Sequence, residues 1–190
     1  MRRMTLWIAA LCLLMSAGKA FGQSSFADHG AEVQRLRYFL GNWQTERALN
    51  PERYGVSKGN GTSHGEVLGG AFIVVTSEED NPLGHRRQLS IVGYDPVQKA
   101  FVWNVFGSNG KHETLHGKVE GKNWTWMSLD RAEVNKKWVY TRYIVTEISP
   151  TSCSSRIDVS EDGKEWTNVA GGKATKLSDD RDSGTVNPGP

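Results

Sequence analysis

The stretch RYFLGNWQTE, residues Arg37 to Glu46, joins two different hydrophobic patterns. Upstream of it, apolar residues recur three or four positions apart, as in an amphipathic helix, whereas downstream they alternate with polar residues, as in a strand. Gly41 lies at the change of pattern, and Trp43 follows two residues later. The stretch therefore predicts a helix-to-strand junction built around a tryptophan.

One helix is predicted before this junction. Asp28 is a suitable N-terminal cap, and Gly41 is a suitable end. Between them Val33, Leu36 and Leu40 share one face at helical spacing. The helix thus has an apolar face with which to pack against the rest of the chain.

After the junction the chain consists of short alternating segments separated by turn residues. The ten predicted strands are residues 43–49, 62–68, 71–77, 87–94, 100–106, 111–119, 124–129, 138–146, 152–159 and 166–175. Tight reversals are predicted at Gly69-Gly70, Asp95-Pro96, Asn109-Gly110, Gly121-Lys122-Asn123 and Asp162-Gly163. Strands that follow one another in this way form an antiparallel meander.

Closing a meander into a barrel removes its two exposed edges. We therefore predict an all-β fold, an antiparallel up-and-down barrel of about ten strands whose base is closed by the N-terminal helix. Trp43 would fill the space beneath that helix. A cation from the last strand, Lys173 or Lys176, would lie over the outer face of its indole.

Gly41-x-Trp43 at the first strand, with a basic residue late in the chain, resembles the signature of lipocalins and the wider calycin group. More closely, residues 36–176 resemble the DUF1579 family, a group of uncharacterised lipocalin-like bacterial proteins. The matching pieces are FLGNW (39–43), LGGAF (68–72), GYDP (93–96) and SEDGKEW (160–166). The resemblance implies a lipocalin-like barrel and brings no established activity with it.

Calycin relatives bind fatty acids, retinoids or, in the nitrobindin branch, haem, so the resemblance implies a small ligand inside the barrel. This chain departs from the haem-binding pattern because its last strands contain no histidine. All five histidines lie at or before His116. We therefore expect no cofactor.

The N-terminus has the pattern of a secretory signal: two arginines, an apolar run over residues 6–15, and small residues before a polar stretch. We expect residues 1–22 to be a signal peptide, with the mature chain beginning at Gln23 or, as the alternative, Phe21. The predicted domain is 23–177, and the polar segment 178–190 is expected to be a disordered tail. A periplasmic or secreted protein without a membrane anchor is the expectation.

Charge and cysteine content limit the partners further. Removing residues 1–22 leaves 20 basic against 21 acidic residues, a net charge of −1, and Cys153 as the one cysteine. A near-neutral chain without a basic cluster lacks the footprint of nucleic-acid binding. No intramolecular disulfide is possible with one cysteine.

Residues His112 to His116, HETLH, match the zinc-protease motif H-E-x-x-H. That motif needs one helical turn, but only six residues lie between Gly110 and Gly117, inside a series of strands. On a strand, positions four apart are separated by about 13 Å, too far for one zinc ion to bind both imidazoles. We interpret the two histidines as surface residues and expect no metal site.

The candidate ligand-binding residues are those that would face the barrel interior. An inward Tyr140–Arg142 face, shared with Trp138, would hold a ligand carboxylate, whereas an outward face would stack Arg142 on surface aromatics. His64 and Glu66 share a face and would form a polar anchor if inward or a solvated face if outward. The aromatic residues Trp103 and Trp126 would contact an apolar ligand or belong to an ordinary core.

These candidates support one principal hypothesis with two alternatives. The principal one is an exported, non-enzymatic domain that binds a small apolar or amphipathic molecule in the barrel. The second is a small-molecule enzyme that uses His64, Glu66 and Arg142 in the cavity. The third is a barrel filled by side chains, which acts through its surface. No catalytic residue is assigned.

Overall fold

The computed structural model describes residues 30–49, 58–81, 84–134 and 136–177. The predicted signal peptide, the predicted cap Asp28 and the predicted tail 178–190 lie outside these ranges. No helix within them is both long enough and apolar enough to cross a membrane.

The predicted helix is present as two short pieces. An α-helix, α1, covers Ala31–Arg35, and a 3₁₀ turn covers Leu36–Phe39. Gly30 occupies the N-cap position without a side-chain hydrogen bond. The chain then becomes extended at Leu40 and enters the first strand at Gly41, whose φ of 86° suits glycine.

Eleven strands follow in the described ranges, and the ten predicted segments correspond to ten of them. They are β1 Gly41–Leu49, β2 Lys58–Leu68, β3 Phe72–Asn81, β4 Gly84–Asp95, β5 Ala100–Gly107, β6 His112–Glu120, β7 Asn123–Ser128, β8 Ala132–Val134, β9 Lys137–Ser149, β10 Ser152–Ser160 and β11 Thr167–Lys176. The unpredicted strand, β8, has three residues and pairs with the start of β9.

All pairings are antiparallel, and they close the predicted barrel. β1 to β7 pair in order, β7 pairs with β9, β9 with β10, and β10 with β11. β11 returns to β1 with Trp43 opposite Lys176, which completes a ring of ten strands in the part of the chain that the structure describes. A β-bulge between Ile157 and Asp158 shifts the register of β10 on β11.

Alternate residues of each strand face the barrel interior. The principal core there contains eight buried side chains: Val33, Leu36, Ile73, Val92, Phe101, Leu115, Trp124 and Trp126. Two of them come from the helical segment, so the helix and the strands share one core. The helical segment therefore closes one end of the barrel, as predicted.

Trp43 is buried at this junction. Its Nε1 donates to the carbonyl oxygen of Leu40 at 3.3 Å, and the ring of Tyr38 lies 5.5 Å away. The Nζ of Lys176 lies 5.1 Å from the indole centroid. The predicted cation over Trp43 is confirmed, and it comes from Lys176.

Hydrogen bonds hold the helical segment against the ends of the strands. Arg35 donates to the carbonyl oxygen of Gly121 at 2.8 Å, and the Tyr38 hydroxyl lies 2.7 Å from the carbonyl oxygen of Ser152. Gly65 lets the segment approach closely, because a Cβ there would lie 2.2 Å from the carbonyl oxygen of Phe39. At the opposite end of the barrel the described residues form no helix.

Candidate functional site

The barrel encloses a cavity of about 290 Å³. This volume lies near the lower end of the ~300–1,000 Å³ that is typical of ligand pockets. The cavity is lined from β1, β2, β3, β4, β5, β7, β9, β10 and β11, together with Phe39 of the closing segment. The interior is therefore only partly filled by side chains.

The cavity wall next to the closed end is apolar and aromatic. Phe39, Ile73 and Val92 line it together with the indoles of Trp103 and Trp126. The two indole centroids are 5.4 Å apart at an interplanar angle of 71°. This edge-to-face arrangement gives a rigid apolar surface for a small molecule.

The wall toward the open end is polar. Arg47 and Glu79 form an ion pair there, with Nε and Oε2 3.2 Å apart and side chains 42% and 17% exposed. Arg86 and Gln88 also line the cavity, and the Gln88 amide donates to the Ser90 hydroxyl at 3.1 Å. β3 spans the distance between the two ends, from Ile73 to Glu79, which is about 20 Å at ~3.3 Å per residue. The cavity is therefore amphipathic along its length.

Two buried polar atoms of the interior have no hydrogen-bond partner among the described residues: the indole Nε1 of Trp103 and Oε1 of Glu113. Trp103 lines the cavity, and Glu113 lies two residues before the inward Leu115 on β6, on the same face of the strand. Burial raises the pKa of the Glu113 carboxyl above its usual value. Unsatisfied buried polar atoms are uncommon in folded proteins, so each of these two is a candidate contact for a water molecule or a ligand.

Cys153 also lines the cavity as a free, buried thiol. Burial raises its pKa, and a backbone hydrogen bond involving Ala174 only partly opposes that effect. A raised pKa keeps the thiol protonated and weakly nucleophilic at neutral pH. Cys153 therefore contributes to the wall as a small apolar group.

Of the seven sequence candidates, the two indoles Trp103 and Trp126 line the cavity. The prediction of an inward Trp138–Tyr140–Arg142 face is wrong. The other face of β9 is inward, because Tyr143 packs against the principal core, whereas Trp138 is 59% exposed. The outward alternative, with Arg142 stacked on an aromatic ring, describes the observed arrangement.

The partner of Arg142 is a carboxylate of the protein on the outer wall. Nη2 of Arg142 donates to Oδ2 of Asp158 at 2.8 Å, and its guanidinium lies 4.3 Å from the centroid of the Trp166 ring. Arg156 and Asn168 donate to Oδ1 of the same carboxylate. Burial alone would raise the pKa of Asp158, but these hydrogen bonds outweigh it and hold the pKa below its usual value. Arg142 and Asp158 therefore form a structural ion pair, and the guanidinium is not available to a ligand carboxylate.

His64 and Glu66 lie on the outer face of β2, so the hypothesis of an inward polar anchor is also wrong. His64 is exposed, and its Nδ1 lies 2.7 Å from Oδ1 of Asn42. Glu66 is exposed as well. The enzyme alternative named these two residues with Arg142, and none of the three faces the cavity.

The H-E-x-x-H stretch lies in strand β6, as predicted, and not in a helical turn. His112 stacks on Phe106 at the surface, with ring centroids 6.4 Å apart, and His116 shares that outer face. Glu113 between them points inward. Within the described ranges, no three His, Cys, Asp or Glu side chains form a group that could hold a metal ion.

Sequence reasoning did not identify the polar wall or Glu113. Both follow from the alternation of the strands once one inward residue is known. From Ile73, the inward positions of β3 lead to Ser77 and Glu79, and from Leu115 the preceding inward position of β6 is Glu113. The sequence shows the two alternating sets of residues on each strand, but it does not show which set faces the interior.

The likeness to one solved structure, Rv2717c, supports the fold. The profile of the family described as "Protein of unknown function (DUF1579)" matches residues 28–176. No curated protein matches the sequence. Among solved structures, Rv2717c from M. tuberculosis superposes with a TM-score of 0.56 at 13% identity, covering 78% of this chain and 99% of that one. A redesigned β-barrel, mFAP0, bound to DFHBI, gives a TM-score of 0.42 at 11% identity, covering 73% and 99%.

Proposed function

This chain belongs to the DUF1579 family, and from the geometry of its interior we propose that it is a binding protein for a small amphipathic molecule held inside the barrel. The observation that carries the proposal is the cavity of about 290 Å³, with indoles at one end and polar side chains at the other. A barrel that served only as a scaffold would gain stability by filling this volume, since voids weaken a core.

The two ends of the cavity define the shape of the ligand. The apolar wall with Trp103 and Trp126 favours an apolar body. The polar wall with Arg47, Glu79 and Arg86 accommodates a more hydrated part near the open end. No observation favours the enzyme alternative, whose three residues lie on the outer surface.

The proposed setting is the periplasm or the exterior of the cell. This part of the proposal rests on residues 1–22, which combine two arginines, an apolar run and small residues in the order of a signal peptide. N-terminal sequencing of the exported protein tests it. A chain that begins at Gln23 or Phe21 supports export, and a mature chain that keeps Met1 contradicts it.

A titration with n-alkyl alcohols of four to ten carbons tests the binding function. Trp103 and Trp126 line the cavity, so their fluorescence reports occupancy. We expect the affinity to rise by up to about fourfold for each added CH₂, the equivalent of ~0.8 kcal/mol, until the cavity is full.

Two variants of β11 make the titration specific for the cavity. Ala174 lines it, whereas the next residue, Thr175, is exposed on the outer face. Ala174→Phe should abolish binding while the barrel stays folded, and Thr175→Phe should bind as the wild type does. Equal affinity in all three proteins, or no dependence on chain length, would contradict an internal binding site.

A further inference from the structure

The strongest unexplained feature of the interior is the pair of unsatisfied polar atoms, Trp103 Nε1 and Glu113 Oε1. A buried polar atom without a partner is unfavourable, because it has lost its hydrogen bonds to water and gained none in the protein. Two such atoms in one barrel, one of them on the wall of the cavity, are expensive unless a bound molecule satisfies them when the protein is at work.

The two side chains are neighbours on the inner face. Trp103 of β5 lies opposite Leu115 of β6, and Val105 lies opposite Glu113. Trp103 and Glu113 are therefore diagonal neighbours, about 7–8 Å apart at their backbones, a distance that long side chains bridge together with one intervening group. Trp103 lines the cavity, so a ligand atom that bonds to both side chains would lie between them at the wall formed by β5 and β6.

The chemistry of the two atoms restricts the group that fits between them. The indole N–H only donates, so the ligand must offer an acceptor, and a carboxylate oxygen only accepts, so the ligand must also offer a donor. An ammonium has no acceptor for the indole, and a ligand carboxylate has no donor for Glu113. A hydroxyl has both on one oxygen.

We infer that Trp103 and Glu113 form a polar subsite that takes the hydroxyl of a small alcohol or phenol, whose apolar body lies against the aromatic wall. The inference rests on the proposed binding function and adds to it the chemical class of the ligand. Burial raises the pKa of Glu113, and no basic side chain among the described residues offsets that effect.

Three probes that differ in one group test the subsite by calorimetric titration of the full chain: p-cresol, p-xylene and 4-methylbenzylamine. They share the ring and the para methyl group, and they place a hydroxyl, a methyl or an aminomethyl group opposite it. We expect wild-type protein to bind p-cresol at least about tenfold more tightly than p-xylene.

Two substitutions assign that preference to the subsite. Trp103→Phe removes the indole N–H, and Glu113→Leu removes the acceptor, so either should bring the ratio of p-cresol to p-xylene affinity close to one. The matched control is Glu120→Gln on the same strand, which is exposed and paired with Lys118 at 2.9 Å. It should keep the wild-type ratio.

Stability distinguishes a ligand subsite from a structural carboxyl. Glu113→Leu should be at least as stable as the wild type in urea unfolding, because it replaces an unsatisfied buried group with an apolar one. A structural role would appear as a loss of stability. If Glu113→Leu fails to fold, Glu113 has a structural role, which contradicts the inference for this residue. Trp103→Phe then still tests the ligand preference.

The remaining outcomes separate this inference from the proposed function. Equal binding of p-cresol and p-xylene by wild-type protein leaves an internal site but overturns the hydroxyl subsite, as would an ordered water found between the two atoms in the p-cresol complex. Tighter binding of the amine would assign Glu113 as a counter-ion and likewise overturn the inference. Binding of none of the probes would overturn the inference and count against the proposed function.

Discussion

Replacing Arg142 by Ala tests whether this side chain stabilises the outer wall of the barrel, where the structure places it, and not a ligand inside the barrel. Asp158 has no exposed side-chain surface, and Arg142, 25% exposed, holds its Oδ2 at 2.8 Å. Removing one partner of a buried ion pair costs about 3–5 kcal/mol. Arg156 and Asn168 still satisfy Oδ1 in the variant, so we expect the lower end, about 3 kcal/mol.

The matched control is Arg87→Ala. Arg87 pairs with Glu78 at the same 2.8 Å, but the two side chains are 71% and 48% exposed. A surface pair of this kind contributes about 0–1 kcal/mol. The two variants therefore compare ion pairs of equal length that differ in burial.

Urea unfolding of the two variants and the wild type at pH 7 measures both costs. The Arg142 effect should also shrink in acid, since Asp158 has a lowered pKa. A lowered pKa gives stability that is present above the ordinary Asp range, about pH 4, and is lost as the pH falls through the folded-state pKa. A loss below about 1 kcal/mol for Arg142→Ala, or equal losses for the two arginines, would refute the reasoning.

Three further substitutions test other parts of the structure by the same unfolding assay. Trp43→Ala should cost about 3–5 kcal/mol because the indole fills the closed end, and a cost below about 1 kcal/mol would place it at the surface. Gly65→Ala should cost about 1–3 kcal/mol, since the added Cβ meets the carbonyl oxygen of Phe39, and an unchanged stability would contradict that contact. The free energy of unfolding of Glu113→Leu, relative to that of the wild type, should increase as the pH rises from about 4 to 8. The raised pKa of Glu113 makes wild-type stability greatest at low pH and lowers it through the folded-state pKa, so a constant difference between the two proteins would contradict the burial.

The fold was predictable because its signals are local. Turn residues such as Gly69-Gly70 and Asp162-Gly163 mark where each strand ends, and the alternation between them marks the strands. The Trp43 junction was predictable for the same reason, because Gly41 and the change of period lie within a few residues of it. The short strand β8 was missed since three residues are too few to show an alternation.

The site was predictable only in part because it depends on which face of each strand is inward. Both faces of β9 carry apolar and aromatic residues, so the sequence did not decide between Tyr140–Arg142 and Thr141–Tyr143. The decisive partner, Asp158, lies 16 residues from Arg142 and meets it only through the pairing of β9 with β10. Trp103 and Trp126 were identified because their size and apolar character favour the interior whatever the register.

A crystal structure of the protein with 4-bromophenol tests whether a small molecule binds inside the barrel. The anomalous signal of bromine locates the molecule without reference to its shape. We predict one site inside the cavity, with the ring against Trp126 and the hydroxyl within hydrogen-bond distance of Trp103 Nε1. Bromine found only on the outer surface, or an interior that stays empty at saturating 4-bromophenol, would contradict it.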